Sequence, residues 1–185
     1  MKQDKKLEHL LDKVIEDTEQ KQMTKDEYRY ISSFLGNKNV LVFGTGYDSN
    51  LWRYANNDGL TIFLEDNDKW IEDSNDIYRV SYTSVLTDAD KFLEEYKLGI
   101  FDNLKINLPD IVKNTNWDVI IVDAPAGYKS HFPGRMQSIY SAKILSKKNS
   151  DVLVHDCNRY VENLYTTTMF GKPHKELTKL RHYII

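Results

Sequence analysis

The sequence predicts an α/β domain with a mostly parallel central sheet, helices on both faces and an antiparallel strand pair at the C-terminal end. Three observations predict it. Short apolar runs recur at 40–43, 61–64, 117–122 and 151–154, each followed by a glycine, an acid or a histidine; unbroken runs of this length are what strands buried on both faces require. Segments with helical spacing lie between them, and strands alternating with helices imply parallel crossovers. The 185 residues, 41% hydrophobic, match a single domain, for which about 100–200 residues is usual. The expected division is a helical lead-in over 1–36 and a core over 37–185.

Leu7, Leu10, Leu11, Val14 and Ile15 follow the i, i+3, i+4, i+7, i+8 spacing of an amphipathic helix. Thr24 and Glu27 form a capping-box pattern ahead of Tyr28, Ile31 and Phe34, and Gly36-Asn37 supplies a stop. Val40–Phe43 is the first strand, followed by a helix over 48–54. Thr61–Leu64 is the second strand, and a weaker one is expected over 77–82. Helices are expected over 88–96 and 133–147, flanking the strongest strand, Trp117–Val122. Asp151–Val154 is the next strand. The tail, with Tyr165–Met169, a Gly-Lys-Pro break and Leu180–Ile185, is expected to form the antiparallel pair.

Composition narrows the function. Lys and Arg total 25 against 28 Asp and Glu, a net charge of −3. Such a chain has no bulk positive field to hold a nucleic acid. Cys157 is the single cysteine, so neither an internal disulfide nor a CxxC metal site can form, and a reducing compartment is expected. No apolar run approaches the roughly 20 residues of a membrane span, and the start lacks a signal-peptide core. The expectation is a soluble, cytoplasmic protein.

The residues that carry chemistry stand at strand ends. In VFGTGYDS, Gly44, Thr45, Gly46 and Asp48 form either a turn where backbone can approach a ligand, the nucleotide corner of a Rossmann-like sheet, or an ordinary strand-to-helix turn. Ser49 replaces the third glycine of a dinucleotide fingerprint. Glu65 ends the second strand, 19 residues beyond Gly46, an offset suited to binding ribose hydroxyls; Asp66, Asp68, Glu72 and Asp73 make a solvated acidic turn the alternative. Asp123 follows the strand at 117–122, and His155 and Asp156 follow that at 151–154. In a parallel sheet these ends open into one crevice, where acids double either as helix caps or as functional groups.

Five segments together carry a resemblance: VFGTGYDSNLW (42–52), TIFLEDNDKW (61–70), WDVIIVDAPAGY (117–128), PGRMQSIYSAKIL (133–145) and DVLVHDCNRYVE (151–162). In this order they resemble the glucuronoxylan 4-O-methyltransferase family, S-adenosylmethionine enzymes with a Rossmann-like methyltransferase fold. The resemblance covers most of the chain from about residue 24. Family members usually have leucine and histidine where this chain has Thr45 and Tyr47; both positions are expected to present mainly backbone. Plant members carry an N-terminal membrane anchor and act in the Golgi. No anchor is read in this chain, so a different glucuronic-acid-containing glycan, or a smaller precursor, is expected as acceptor.

The resemblance implies methyl transfer to a sugar hydroxyl. The glycine loop (Gly44, Thr45, Gly46, Asp48), with Asp123, would hold the methionine end of the cofactor, Glu65 the ribose, and the segment 82–84 the adenine. A sugar hydroxyl needs a general base or a metal. Asp123, His155 and Asp156 offer both: His155 or Asp156 as base, or Asp123 and Asp156 around magnesium, manganese or cobalt. For the acceptor's carboxylate, Arg135 and Arg159 are the expected partners, with Lys129 and His131 on the same loop and Tyr128 as a stacking platform. Two other readings stay open: an NAD-dependent sugar-nucleotide oxidoreductase or epimerase, and a non-catalytic glycan-binding module.

Overall fold

The computed structural model describes residues 4–18, 22–71 and 73–185; Glu72 of the acidic turn and the first three residues lie outside them. Its centre is a seven-stranded sheet in the order β3-β2-β1-β4-β5-β7-β6, made of β1 (Asn39–Phe43), β2 (Leu60–Glu65), β3 (Ile77–Arg79), β4 (Trp117–Val122), β5 (Ser146–Val154), β6 (Lys175–Leu177) and β7 (Leu180–Ile184). The first five pair in parallel, while β7 runs antiparallel to both β5 and β6.

Period-two burial sorts the strands onto two faces. Val40, Val42, Phe63, Val119, Ile121 and Leu153 face one helical layer. It consists of α1 (Lys5–Asp17), α2 (Lys25–Ser32) and α3 (Ser49–Ala55), which contribute Leu11, Tyr28, Ile31 and Trp52. Leu41, Phe43, Ile120, Val122, Val152 and Val154 face the other. That layer holds α4 (Ala89–Lys97), α6 (Met136–Leu145) and α7 (Tyr160–Phe170); a short α5 (Asp110–Asn114) precedes β4. The fold class read from the sequence is the one observed.

The lead-in is fastened as its sequence predicts. Asp4 caps α1 by accepting from the N–H groups of Lys6 and Leu7, and Thr24 and Glu27 close a capping box on α2. Glu27 is fully buried, and its Oε1 also accepts the N–H of Lys179 at 2.8 Å. Tyr30 Oη lies 2.9 Å from His182 Nδ1, and His182 Nε2 lies 2.8 Å from Asp151 Oδ1. The first helices and the last strand therefore share polar as well as apolar contacts.

The tail differs from expectation. Residues 165–169 are not a strand but the middle of α7. Val161, Tyr165 and Met169, at i, i+4 and i+8, bury one helical face, and that packing overrides the β-preference of the three consecutive threonines. Thr166 Oγ1 donates back to the Glu162 carbonyl at 2.7 Å. The antiparallel partner of β7 on the edge is β6, beyond the Gly-Lys-Pro break. Boundaries also move: α6 starts at Met136, β5 starts at Ser146, earlier than the apolar run, and β3 ends at Arg79, short of the expected 82.

Candidate active site

The sheet reverses its order between β1 and β4, so the connections leaving their carboxyl ends diverge to opposite faces and leave a crevice. A cavity of about 790 Å³ occupies it, within the range of cofactor sites, about 300–1,000 Å³. Its wall includes Gly44, Thr45, Gly46, Asp48, Glu65, Asp123, Tyr128, Arg135, His155, Asp156 and Arg159. Most of the sequence-predicted residues are thus brought together; Lys129, His131 and the segment 82–84 are not. Lys129 borders a neighbouring cavity, and His131 lies on the wall of neither.

At one end is the glycine loop. Gly44 has φ +113°, and a Cβ there would meet Ala124 Cβ at 2.9 Å, so only glycine allows β1 to turn against the loop after β4. The next residue, expected to present mainly backbone, also uses its hydroxyl. Glu65 Oε2 accepts both the Thr45 N–H at 2.8 Å and the Thr45 hydroxyl at 3.0 Å, while its Oε1 accepts the N–H groups of Asp66 and Asn67. The same hydroxyl is 2.9 Å from the Trp70 carbonyl. One proton serves one acceptor, and when it turns to Trp70 a lone pair of Glu65 is released.

Tyr47 is half exposed and packs edge-on against Trp70 at 5.2 Å between ring centroids. Both aromatics line the cavity beside Asp66 and Asn67. Tyr82, Thr83 and Ser84, expected to meet adenine, are not on the cavity wall. Thr83 N–H donates to Gln137 Oε1 and Ser84 Oγ to the Pro133 carbonyl, which fixes the start of α6. Trp70, which does line the cavity, stood in the sequence as an aromatic within the acidic turn, at the end of the TIFLEDNDKW segment.

At the other end the loops after β4 and β5 meet. His155 Nδ1 is 3.0 Å from Asp123 Oδ1, and its Nε2 is buried with no hydrogen-bond partner among the described residues. Arg135 Nη2 lies 3.0 Å from Asp123 Oδ1 and 2.9 Å from Asp156 Oδ2, and its Nη1 donates to the His155 carbonyl at 2.7 Å. Arg159 Nη1 reaches Asp156 Oδ2 at 2.9 Å. Asp156 adopts φ +61°, a left-handed conformation uncommon outside glycine. Two arginines hold its carboxylate there, an example of local strain sustained at a site by surrounding contacts.

These pairings shape the charges. Burial pushes Asp123 up, but His155 and Arg135 outweigh it and hold the carboxyl below its ordinary value. Asp48 goes the other way, raised to about 7 by burial and by the charge of Asp123. Cys157, next to the pair, is pushed up to about 12 by burial, so it is an inert thiol rather than a nucleophile.

Arg135 also corrects an expectation. Its side chain is 5% exposed and its guanidinium is committed to two carboxylates and a carbonyl. It ties the loops after β4 and β5 together and is already paired where the expectation had it free for an acceptor carboxylate. Arg159, 33% exposed and paired through Nη1, is the arginine that faces the opening. Tyr128 is exposed at the same mouth, packed edge-on against Phe132 at 4.8 Å.

Asp123, His155 and Asp156 bring three ligand atoms within 4.8 Å of one another. Two carboxylates and an imidazole are a donor set that suits a divalent transition ion. Arg135 bridges both carboxylates, so an ion seated there would have to displace a cation already in place.

Comparison with known proteins gives a consistent pattern. Residues 27–183 match the family described as IRX15/IRX15L/GXM. Glucuronoxylan 4-O-methyltransferase 1 of Arabidopsis thaliana is 34% identical over 191 residues, covering 89% of this chain and 68% of the plant protein. Arabinogalactan O-methyltransferase 2 of the same plant is 35% identical over 175 residues, covering 80% of this chain and 60% of the relative. The chain thus spans roughly two thirds of the length of these relatives. A Klebsiella pneumoniae protein assigned as an O-methyltransferase superposes with a TM-score of 0.50 at 11% identity, covering 95% of this chain and 89% of its own, a likeness of fold.

Proposed function

The chain belongs to the IRX15/IRX15L/GXM family, and from that premise we propose that it is an S-adenosylmethionine-dependent O-methyltransferase that modifies a polysaccharide. The hydroxyl we assign is the 4-hydroxyl of glucuronic acid in a xylan-type chain. The observation that carries the catalytic part is the His155–Asp123 pair on the cavity wall: an imidazole held by a carboxylate at Nδ1, with Nε2 buried and without a hydrogen-bond partner among the described residues.

The cavity's chemistry suits the cofactor. Gly44 gives a wall without a Cβ, Thr45 and Glu65 offer a switchable acceptor for ribose, and Asp123, held ionised by His155 and Arg135, lends the same wall the negative charge that favours a cationic sulfonium. NAD fits less well. The Gly46 N–H, which a pyrophosphate would need, donates instead to Ser49 Oγ at 2.9 Å, the residue that replaces the third glycine.

When bound, S-adenosylmethionine supplies a methyl group on a positively charged sulfur. The protein's tasks are to aim the acceptor oxygen, remove its proton and keep water away. Asp123, ionised below its usual value, accepts from Nδ1–H and so fixes the tautomer in which Nε2 is the basic nitrogen. Nε2 would take the proton of the acceptor hydroxyl, and Asp123 would stabilise the imidazolium that results. Arg135 keeps Asp123 and Asp156 from repelling each other. A divalent ion held by Asp123, His155 and Asp156 would instead acidify the hydroxyl directly.

The test is transfer of a labelled methyl group from S-adenosylmethionine to glucuronic-acid-bearing xylan, with the product located by NMR. Label on O4 of glucuronate supports the reading. A chain that binds S-adenosylhomocysteine but methylates no uronic-acid glycan overturns it in favour of a glycan-binding module. Turnover that survives exhaustive chelation dismisses the metal route, and its loss in His155→Ala then assigns the proton to His155, whereas loss on chelation restored by added manganese or cobalt assigns activation to the ion.

A further inference from the structure

A second cavity of about 360 Å³ opens beside the first. Tyr128 and Arg159 line both, so the two share a wall. Its floor holds a group that the methyl-transfer chemistry above does not use. Glu162, in the first turn of α7, is fully buried, and neither carboxylate oxygen has a hydrogen-bond partner among the described residues. Buried carboxylates without partners are rare because each unmade bond costs free energy. The loop after β4 has made room for this one: a Cβ at Gly127 would meet Glu162 Oε1 at 3.1 Å.

The rim has a different character. Lys129 and Arg159 supply positive charge, and Tyr128 and Tyr160 are large exposed aromatics, 66% and 65% exposed. Acceptor oxygens below, aromatic faces beside and cations at the edge are what a uronic acid requires. Its ring carries hydroxyl donors, apolar C–H faces and one carboxylate. The carboxylate of a glucuronate is borne on the carbon next to the one carrying the 4-hydroxyl. Arg159, bound to Asp156 and set between the cavities, stands where binding that carboxylate would deliver the neighbouring hydroxyl toward His155.

We propose that this second cavity is the acceptor subsite, in which Glu162 accepts hydrogen bonds from sugar hydroxyls while Arg159 takes the uronate carboxylate. The assignment rests on the methyltransferase reading and adds to it a floor residue and a location. Glu162 is a specificity-determining group: an acceptor without hydroxyls at its position would leave the carboxylate buried and unpaired, a costly mismatch.

The experiment separates the two claims. S-adenosylhomocysteine affinity is measured by calorimetry, and binding of a glucuronic-acid-bearing xylo-oligosaccharide by saturation-transfer NMR, with no turnover needed. Glu162→Gln should weaken oligosaccharide binding about tenfold, the loss of one charge-assisted hydrogen bond, and leave the S-adenosylhomocysteine affinity unchanged. Thr87→Trp, on the exposed rim of the same cavity, should obstruct the oligosaccharide to at least the same degree and decides the matter if Glu162→Gln does not fold. Wild-type oligosaccharide binding in the folded variants overturns the subsite while leaving the methyltransferase reading intact. Failure of the wild type to bind S-adenosylhomocysteine overturns that reading, whereas oligosaccharide binding still sensitive to both variants upholds the subsite.

Discussion

His155 Nδ1 and Arg135 Nη2 converge on one oxygen of Asp123, each at 3.0 Å. That shared oxygen makes Asp123 the point where the imidazole's orientation and the neutralisation of the neighbouring carboxylate are set together. Asp123→Asn should keep the shape while removing the charge that favours Nδ1–H. We expect kcat on the glycan to drop about 10²-fold or more, the scale of a misplaced general base. S-adenosylhomocysteine affinity should change only modestly. Steady-state kinetics beside calorimetry checks this, and a variant with wild-type kcat would remove His155 from the proposed role.

Asp48 gives a pH signature in the protein without cofactor. Its folded value near 7 exceeds the ordinary 3.8, so between those values the native state holds a proton that the unfolded chain has released. Stability from this site is greatest at low pH and declines as pH rises through that window, by at most about 4 kcal/mol. Asp123 works in the opposite sense: its lowered value stabilises the fold above the ordinary carboxylate range and is lost as pH falls below it. Thermal melts from pH 4 to 8 should show the decline flattened in Asp48→Asn. An unchanged profile would place the titration elsewhere.

Thr45→Val preserves size and removes the hydroxyl that alternates between Glu65 and Trp70. S-adenosylhomocysteine should bind about 2- to 10-fold more weakly, the worth of one hydrogen bond, and Thr45→Ser should recover most of the loss. Equal affinities for all three proteins would return position 45 to a backbone role.

Gly44→Ala tests the close approach of the β1 and β4 loops. The left-handed φ and the 2.9 Å contact with Ala124 Cβ both oppose a side chain. We expect a loss of about 3 kcal/mol, which at roughly 2–4 °C per kcal/mol is readily measured. A melting temperature within a degree of wild type would show that the loop relaxes.

The parts of this molecule set by hydrophobic pattern were legible in the sequence. Val40–Phe43, Trp117–Val122 and Asp151–Val154 lie within the central strands, and their terminal Gly44, Asp123, His155 and Asp156 meet because parallel strands share one carboxyl edge. What could not be read was which groups would satisfy one another. Arg135 looks like a free cation in a helix-opening PGRM motif; only the fold shows Asp123 and Asp156 reaching it from two different strand ends. Glu162 looks like an ordinary acid in the first turn of a helix, a position the dipole favours. Its burial depends on Gly127, 35 residues earlier. The misread segment 165–169 has the same cause, since the apolar stripe that settles its form begins at Val161, before the threonines.

The bond from Lys179 N–H to Glu27 continues onward, because the Lys179 carbonyl accepts the Cys157 N–H at 2.8 Å, one residue past Asp156. The capping box of α2 and the turn at Asp156-Cys157 are therefore braced by the same residue of the β6–β7 hairpin. This defines a unit for protein engineering. A chimera that exchanged the helices before residue 37 between relatives would sever a brace of the turn after β5 unless the incoming helices carried an acid at position 27 to meet the 178–180 turn. The natural cut for grafting falls before Thr24, not at the boundary where the sheet begins.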